Sequence, residues 1–171
     1  MTRSSAREIA IHCSYSLGFS HESADEFLAE RLNKENFQRW SQESALYKEY
    51  PNEKQLQYIK ELVRGVANHG PELDQYIAQY AKDWSFARIP LPAAAIMRVA
   101  MYEILYMPDI PAAAAINDAV EIAKKYEDGK VVSFINGILG AFVRAEFPEQ
   151  FQDKKLARAE VEPAAEHEEE A

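Results

Sequence analysis

The sequence predicts an all-α fold built around a buried helical hairpin, and three observations carry that prediction. Apolar residues recur at helical spacing in several separate segments, whereas no segment alternates with the two-residue period of a strand. The stretch 96–140 is so densely and evenly apolar that its first helix has almost no polar face, which is the mark of a helix covered on all sides. With 171 residues, of which 47% are hydrophobic, the chain is long enough for one domain or for two small bundles sharing one core.

Taken in order, the first helix is signalled by Ser5-Ala6-Arg7-Glu8, a candidate capping box, followed by Ala6, Ile9, Ala10, Cys13 and Leu17 on one stripe and by Gly18 as a stop. Arg3 precedes this helix and Arg7 lies in its first turn. Cations there oppose the helix dipole at a cost on the order of a few tenths of a kcal/mol, so they either serve a partner or are simply solvated. Ser23-Ala24-Asp25-Glu26 opens a second, shorter helix carrying Phe27, Leu28 and Leu32. Residues 33–52 turn polar around Phe37, Trp40, Leu46 and Tyr47, and fit either an irregular connection or another short helix. Asn52 with Gln55 caps the next helix, Glu53 to Asn68, whose stripe is Leu56, Ile59, Leu62, Val63 and Val66. Gly70-Pro71 interrupts it, and Leu73, Tyr76, Ile77 and Tyr80 mark another helix before the turn at 84–90.

The hairpin follows. Pro92 suits a first helical turn and Pro108 a stop, with Ile96, Met97, Val99, Ala100, Met101, Ile104 and Leu105 covering most of the circumference between them. Arg98 and Glu103 interrupt that surface about 140° apart, so each needs its own counter-charge inside the fold or on a partner. Asp109 is placed to cap the next helix, with Ala112, Ile116, Ala119, Val120 and Ala123 on its stripe. After Glu127-Asp128-Gly129 the last helix runs from about 131 to 147. Gly137 and Gly140 share one of its faces, each costing about 1 kcal/mol relative to alanine, which a close helix contact would offset. Residues 151–171 carry net charge −4 and few apolar side chains, and are expected to be a disordered acidic tail beyond a domain of residues 1–150.

Composition narrows the chemistry. One cysteine, Cys13, excludes a disulfide framework, and the four histidines lack metal-ligand spacing, so no metal site is expected. Phosphate-cradling glycine loops, GxSxG and HExxH are all absent from the sequence. No catalytic constellation and no cofactor are expected. There is no signal-peptide pattern and no apolar run long enough for a membrane span, which leads to the expectation of a cytoplasmic protein with no membrane partner. The net charge of −9 argues against nucleic acid. Removing the tail's share leaves −5 on residues 1–151, on which a locally basic patch can still exist.

Several motifs together carry a resemblance: Ala6-Arg7-Glu8 with Tyr15, Gly65-Val66-Ala67, Ile96 to Glu103, Ile116 to Lys124, and Phe134-Ile135-Asn136-Gly137-Ile138-Leu139-Gly140. In this order and spacing they resemble the NusB family of transcription antitermination factors over about 6–143, with a weaker middle around 33–52. The resemblance implies about seven helices in two packed bundles, no catalysis, and binding of boxA-type single-stranded RNA. It also implies action with a small-subunit ribosomal protein serving as NusE, and delivery of that pair to an RNA polymerase antitermination complex that supports ribosomal RNA synthesis.

By the same resemblance the RNA-binding residues are Arg3 and Arg7, Tyr15 as a base-stacking ring, and Lys130 and Ser133 in a loop of residues 129–133 before the last helix. Cations neutralise phosphates and an aromatic face stacks an unpaired base, so the residue types suit the task. Ala93 falls on the surface that meets the ribosomal protein, and Arg98 is the other candidate partner contact. The family commonly has three or more clustered arginines at the N-terminus, an acidic residue at the Ala93 position and a basic one at Ser133. A thinner arginine motif predicts weaker binding with a smaller salt slope. Two alternatives remain open: an interaction module of this fold that has lost its RNA surface, and the RNA-substrate domain of a ribosomal RNA cytosine methyltransferase. The second lacks any glycine-rich cofactor loop or catalytic cysteine in this sequence.

Overall fold

A computed structural model describes residues 1–82 and 84–150; the acidic tail expected at 151–171 lies outside the described residues. Among these residues there is no strand. There are eight α-helices: α1 (Arg3–Leu17), α2 (Ala24–Arg31), α3 (Lys34–Trp40), α4 (Glu53–Asn68), α5 (Gly70–Tyr80), α6 (Leu91–Tyr106), α7 (Ala112–Ala123) and α8 (Gly129–Glu146). Short 3-10 turns fall at Ala45–Tyr47 and Phe86–Arg88.

Local chemistry sets most of the boundaries. The expected reciprocal box at Asn52 and Gln55 opens α4, each side chain accepting from the other's backbone N–H at 2.9 Å. Ser23 caps α2 by accepting from the Glu26 N–H at 3.2 Å. The polar segment resolves into a real helix because Asn33 accepts from the Asn36 N–H at 2.9 Å, and Phe37 anchors it with Trp40, Tyr47 and Tyr50 packed on its ring.

Three boundary expectations are corrected. The cap of α1 is Thr2, whose hydroxyl accepts from the Ser5 N–H at 3.0 Å, so Ser5 lies inside the first turn and caps nothing. Asp109 does not cap α7. Pro111 occupies that position, and the Ala112 N–H donates to the Gln150 side chain at 2.9 Å. Asp128 caps α8 by accepting from the Val131 N–H at 3.0 Å, so residues 129–133 form the first turns of that helix and not a loop before it.

The fold is organised on α6, which packs against α1, α4, α5, α7 and α8. An N-terminal group (α1, α2, α4) and a C-terminal group (α5, α7, α8) thus share one central helix and a continuous core. The core-facing run of α6 includes Ala93–Met97 and Val99–Ile104, all buried, and burying each large side chain contributes about 1.5–3 kcal/mol. Close backbone approach occurs at Gly65 of α4: a methyl group there would overlap the Tyr102 ring of α6. The expectation for Gly137 and Gly140 fails. Gly137 has no neighbour within 4 Å of where a Cβ would stand, and Gly140 meets only the Arg144 guanidinium at 3.5 Å.

Candidate nucleic-acid interface

The charged face of α1 divides into an inner and an outer part. Arg7 is 2% exposed and is held between two carboxylates. Its guanidinium grips Glu103 of α6 through Nε and through Nη2, the latter at 2.8 Å, and pairs through Nη1 with Asp118 of α7. Burial on its own would lower the pKa of Arg7, but the hydrogen bond and charge of Glu103 outweigh it and the net shift is upward. The expectation that Arg7 contacts RNA is corrected on this geometry: its guanidinium is buried and paired with two carboxylates, which clamps α1 onto α6 and α7.

The outer part retains its candidates. Arg3 is exposed in the first turn of α1, its guanidinium 5.8 Å from the centre of the Tyr58 ring. Tyr15 is 37% exposed, with Phe19 (64% exposed) edge-on at 5.2 Å. Lys130 and Ser133 are exposed on the first turns of α8, and the Lys130 ammonium lies 5.8 Å from the Trp84 ring. Of the partner candidates, Ala93 is fully buried on α6 and touches no surface, which corrects that expectation. Arg98 is half-buried and pairs with Asp74 of α5 at 2.6 Å, satisfying internally one of the two charges on α6.

Sequence reading missed a second cluster, on the face of α1 that carries Glu8, His12 and Tyr15. His12 bridges two tyrosines, with Nδ1 2.7 Å from the Tyr47 hydroxyl and Nε2 2.7 Å from that of Tyr126. The Tyr126 hydroxyl donates to the buried Glu8 carboxylate at 2.5 Å, and Lys125 donates to the same carboxylate at 2.9 Å. Since Tyr126 has one proton and spends it on Glu8, Nε2 of His12 must be the donor and Nδ1 must accept from Tyr47. That network needs a neutral imidazole, and burial indeed pushes the His12 pKa down. Burial also pushes the neighbouring Cys13 thiol up to about 12, which leaves it inert as a nucleophile. His12, Tyr15, Trp40, Tyr47 and Tyr126 line an open cleft of about 510 Å³. The sequence signal was present in the aromatic residues of 37–50, but nothing in it located α1 beside them.

Among the described residues no group of His, Cys, Asp and Glu is placed to hold a metal ion, and no helix is long and apolar enough to cross a membrane. An all-helical body with cations and an aromatic ring on its outer face defines a small helical binding protein. Comparison with known proteins gives the family: the NusB family model matches residues 4–144, and this chain belongs to the NusB family, a family of transcription antitermination factors and not of enzymes. The transcription antitermination protein NusB of Symbiobacterium thermophilum is 33% identical over 144 residues, covering 84% of this chain and 90% of that protein. Its counterpart in Acetivibrio thermocellus is 36% identical with the same coverage. Among solved structures, NusB of T. maritima aligns with a TM-score of 0.65 at 24% identity, covering 89% of this chain and 98% of that one. A crystal structure of antitermination factors NusB and NusE with double-stranded RNA aligns with a TM-score of 0.66 at 24% identity, covering 84% and 96%. At that identity both establish a shared fold.

Proposed function

We propose that this chain is an RNA-binding antitermination factor that holds boxA-type single-stranded RNA through Arg3, Tyr15, Lys130 and Ser133. It acts with a small-subunit ribosomal protein serving as NusE and joins an RNA polymerase antitermination complex. The observation that carries the reading is the exposure of these four residues on a member of a family whose relatives are named for antitermination. Arg3 and Lys130 neutralise phosphates, Tyr15 offers a ring for an unpaired base, and Ser133 supplies a hydroxyl. Arg98, whose side chain is partly exposed, is the residue offered to the protein partner.

A competing reading, an interaction module of the same fold without an RNA surface, is favoured by one finding. Burial of Arg7 leaves Arg3 as the single arginine on the outside of the first turn of α1. Measuring boxA RNA binding at 50 and 200 mM salt, with and without the ribosomal partner, separates the two. The RNA reading predicts salt-sensitive binding, with Arg3→Ala and Lys130→Ala each weakening it uniformly across sequences and lowering the salt slope by about 1. No binding at low salt with the partner present would sink it.

A further inference from the structure

The cleft beside Tyr15 has features that the phosphate-contacting surface does not use. Its volume, about 510 Å³, lies within the roughly 300–1,000 Å³ typical of small-ligand pockets. Aromatic rings line it from three helices and two turns: Tyr15 of α1, Phe27 of α2, Trp40 of α3, Tyr47 of the α3–α4 connection and Tyr126 of the turn between α7 and α8. Two hydroxyls of the lining are already committed, Tyr47 to His12 and Tyr126 to Glu8, so at these two residues an occupant meets ring surface and not a free donor. Polar recognition is left to the remaining polar groups of the lining: Ser16, Arg31, Glu43, Ser44 and the hydroxyl of Tyr15. Arg31 lies 4.7 Å from the centre of the Phe27 ring and brings a positive charge to the site.

We propose that this cleft receives one unpaired nucleobase of the bound RNA and that Glu43 gives it a preference for guanine. The inference rests on the RNA-binding reading above and goes beyond it by naming a subsite in which the 33–52 segment meets α1. A flat base suits an aromatic lining, since every base has a π face. Arg31 complements the phosphates flanking the inserted nucleotide, and Tyr15, shared with the outer surface, makes the cleft continuous with the RNA path.

The choice of base follows from Glu43. Its carboxylate only accepts hydrogen bonds, and guanine presents N1–H and N2–H side by side, so both oxygens can be engaged. Adenine and cytosine offer an amino group beside a ring-nitrogen acceptor, and uracil an N3–H between two carbonyls; each sets a lone pair against the carboxylate.

The test uses the full chain and a boxA-type RNA in which each base in turn is replaced by an abasic site, read by fluorescence anisotropy at low salt. One position should cost about 10-fold in affinity, in line with loss of a stacked base, and guanine should be the preferred base there. Glu43→Gln, at an exposed side chain, should flatten that preference without changing the salt slope; Trp40→Leu should weaken binding at the same position. A uniform abasic scan, or an unchanged base preference in Glu43→Gln, would overturn the subsite while leaving RNA binding in place. Loss of a protein partner by these variants, with RNA affinity intact, would make the cleft a protein pocket instead. If the unmodified chain binds no RNA at all, the underlying reading fails and the subsite with it.

Discussion

Two charged regions of this molecule are built from similar residues to opposite ends. On the inside, Arg7 and Glu103 form a dry pair that Asp118, partly exposed, extends to a third helix; on the outside, Arg3 and Lys130 face solvent beside aromatic rings. Arg3 and Arg7 are one helical turn apart, yet a single fact separates them: the fold brings carboxylates to one and none to the other. A cation's neighbours in sequence therefore say little about its role, whereas the partners delivered by distant helices decide it.

The sharpest way to break this comparison is to truncate both arginines. Arg7→Ala leaves Glu103 buried without its partner, and losing one member of a buried pair costs about 3–5 kcal/mol. For a chain of this length that lowers Tm by roughly 10 °C, measured by circular dichroism. Arg3→Ala should stay within about 0.5 kcal/mol. Equal melting temperatures for the two variants would remove the distinction. Arg7→Lys should recover only part of the loss, because an ammonium lacks the planar fork that grips Glu103 while reaching Asp118.

A parallel contrast divides the glycines. Gly65→Ala forces a methyl group into the Tyr102 ring at the α4–α6 contact and should destabilise by about 1–3 kcal/mol. Gly137→Ala, at an exposed helical site with open space around it, should stabilise by about 0.5–1 kcal/mol. Denaturant midpoints for the pair read this directly, and a Gly65→Ala protein as stable as the parent would mean that α4 and α6 do not meet as closely as the structure has them.

These contrasts show what a reader of the sequence can and cannot reach. The all-α class, the buried α6, and the starts of α2 and α4 follow from periodicity and capping, because such signals are local to a few residues. Glu103 was recognisable as a charge in need of a partner, but the partner's identity depends on α1 crossing α6, ninety-six positions away in sequence. Arg7, read as an RNA contact, was the answer to that question. Ala93 was nominated by the resemblance alone, and it lies on the helix that the fold covers all round, where it is fully buried. The glycine pair of α8 suggested close packing, whereas the requirement for glycine lies at Gly65, whose neighbour Tyr102 belongs to another helix. Of the candidate site, the exposed residues Arg3, Tyr15, Lys130 and Ser133 could be nominated, but the cleft could not, since it assembles from five separated segments.

The His12 network gives a smaller effect with a defined pH signature. The imidazole faces Tyr47 and Tyr126 directly, with Glu8, Lys125 and Cys13 near them. Burial lowers its pKa below 6.5, with Lys125 acting in the same direction and Glu8 opposing. The unfolded chain thus binds a proton on His12 at a higher pH than the folded one. Its contribution to stability is complete above about pH 6.5 and is lost progressively as the pH falls toward the folded pKa. His12→Gln can keep one donor and one acceptor between the tyrosines without a titrating group. Its stability should fall less than the parent's between pH 7 and pH 5; identical pH profiles would show that His12 does not titrate differently in the two states.

The smallest expected effect tests the comparison within one helix. Arg98 and Glu103 both interrupt α6, and both find a counter-charge on another helix, but Arg98 and Asp74 are 26% and 34% exposed where Glu103 is fully buried. Water and salt screen the outer pair, and pairs of that kind contribute about 0–1 kcal/mol. Arg98→Ala should therefore lower stability by no more than about 1 kcal/mol, and 1 M salt, with a screening length of about 3 Å, should erase most of the difference from the parent. The Arg7→Ala deficit should survive the same salt, because ions do not reach a dry pair. If the two deficits respond alike to salt, the triad is wetter than its burial implies, and Arg7 regains a path to the phosphates outside.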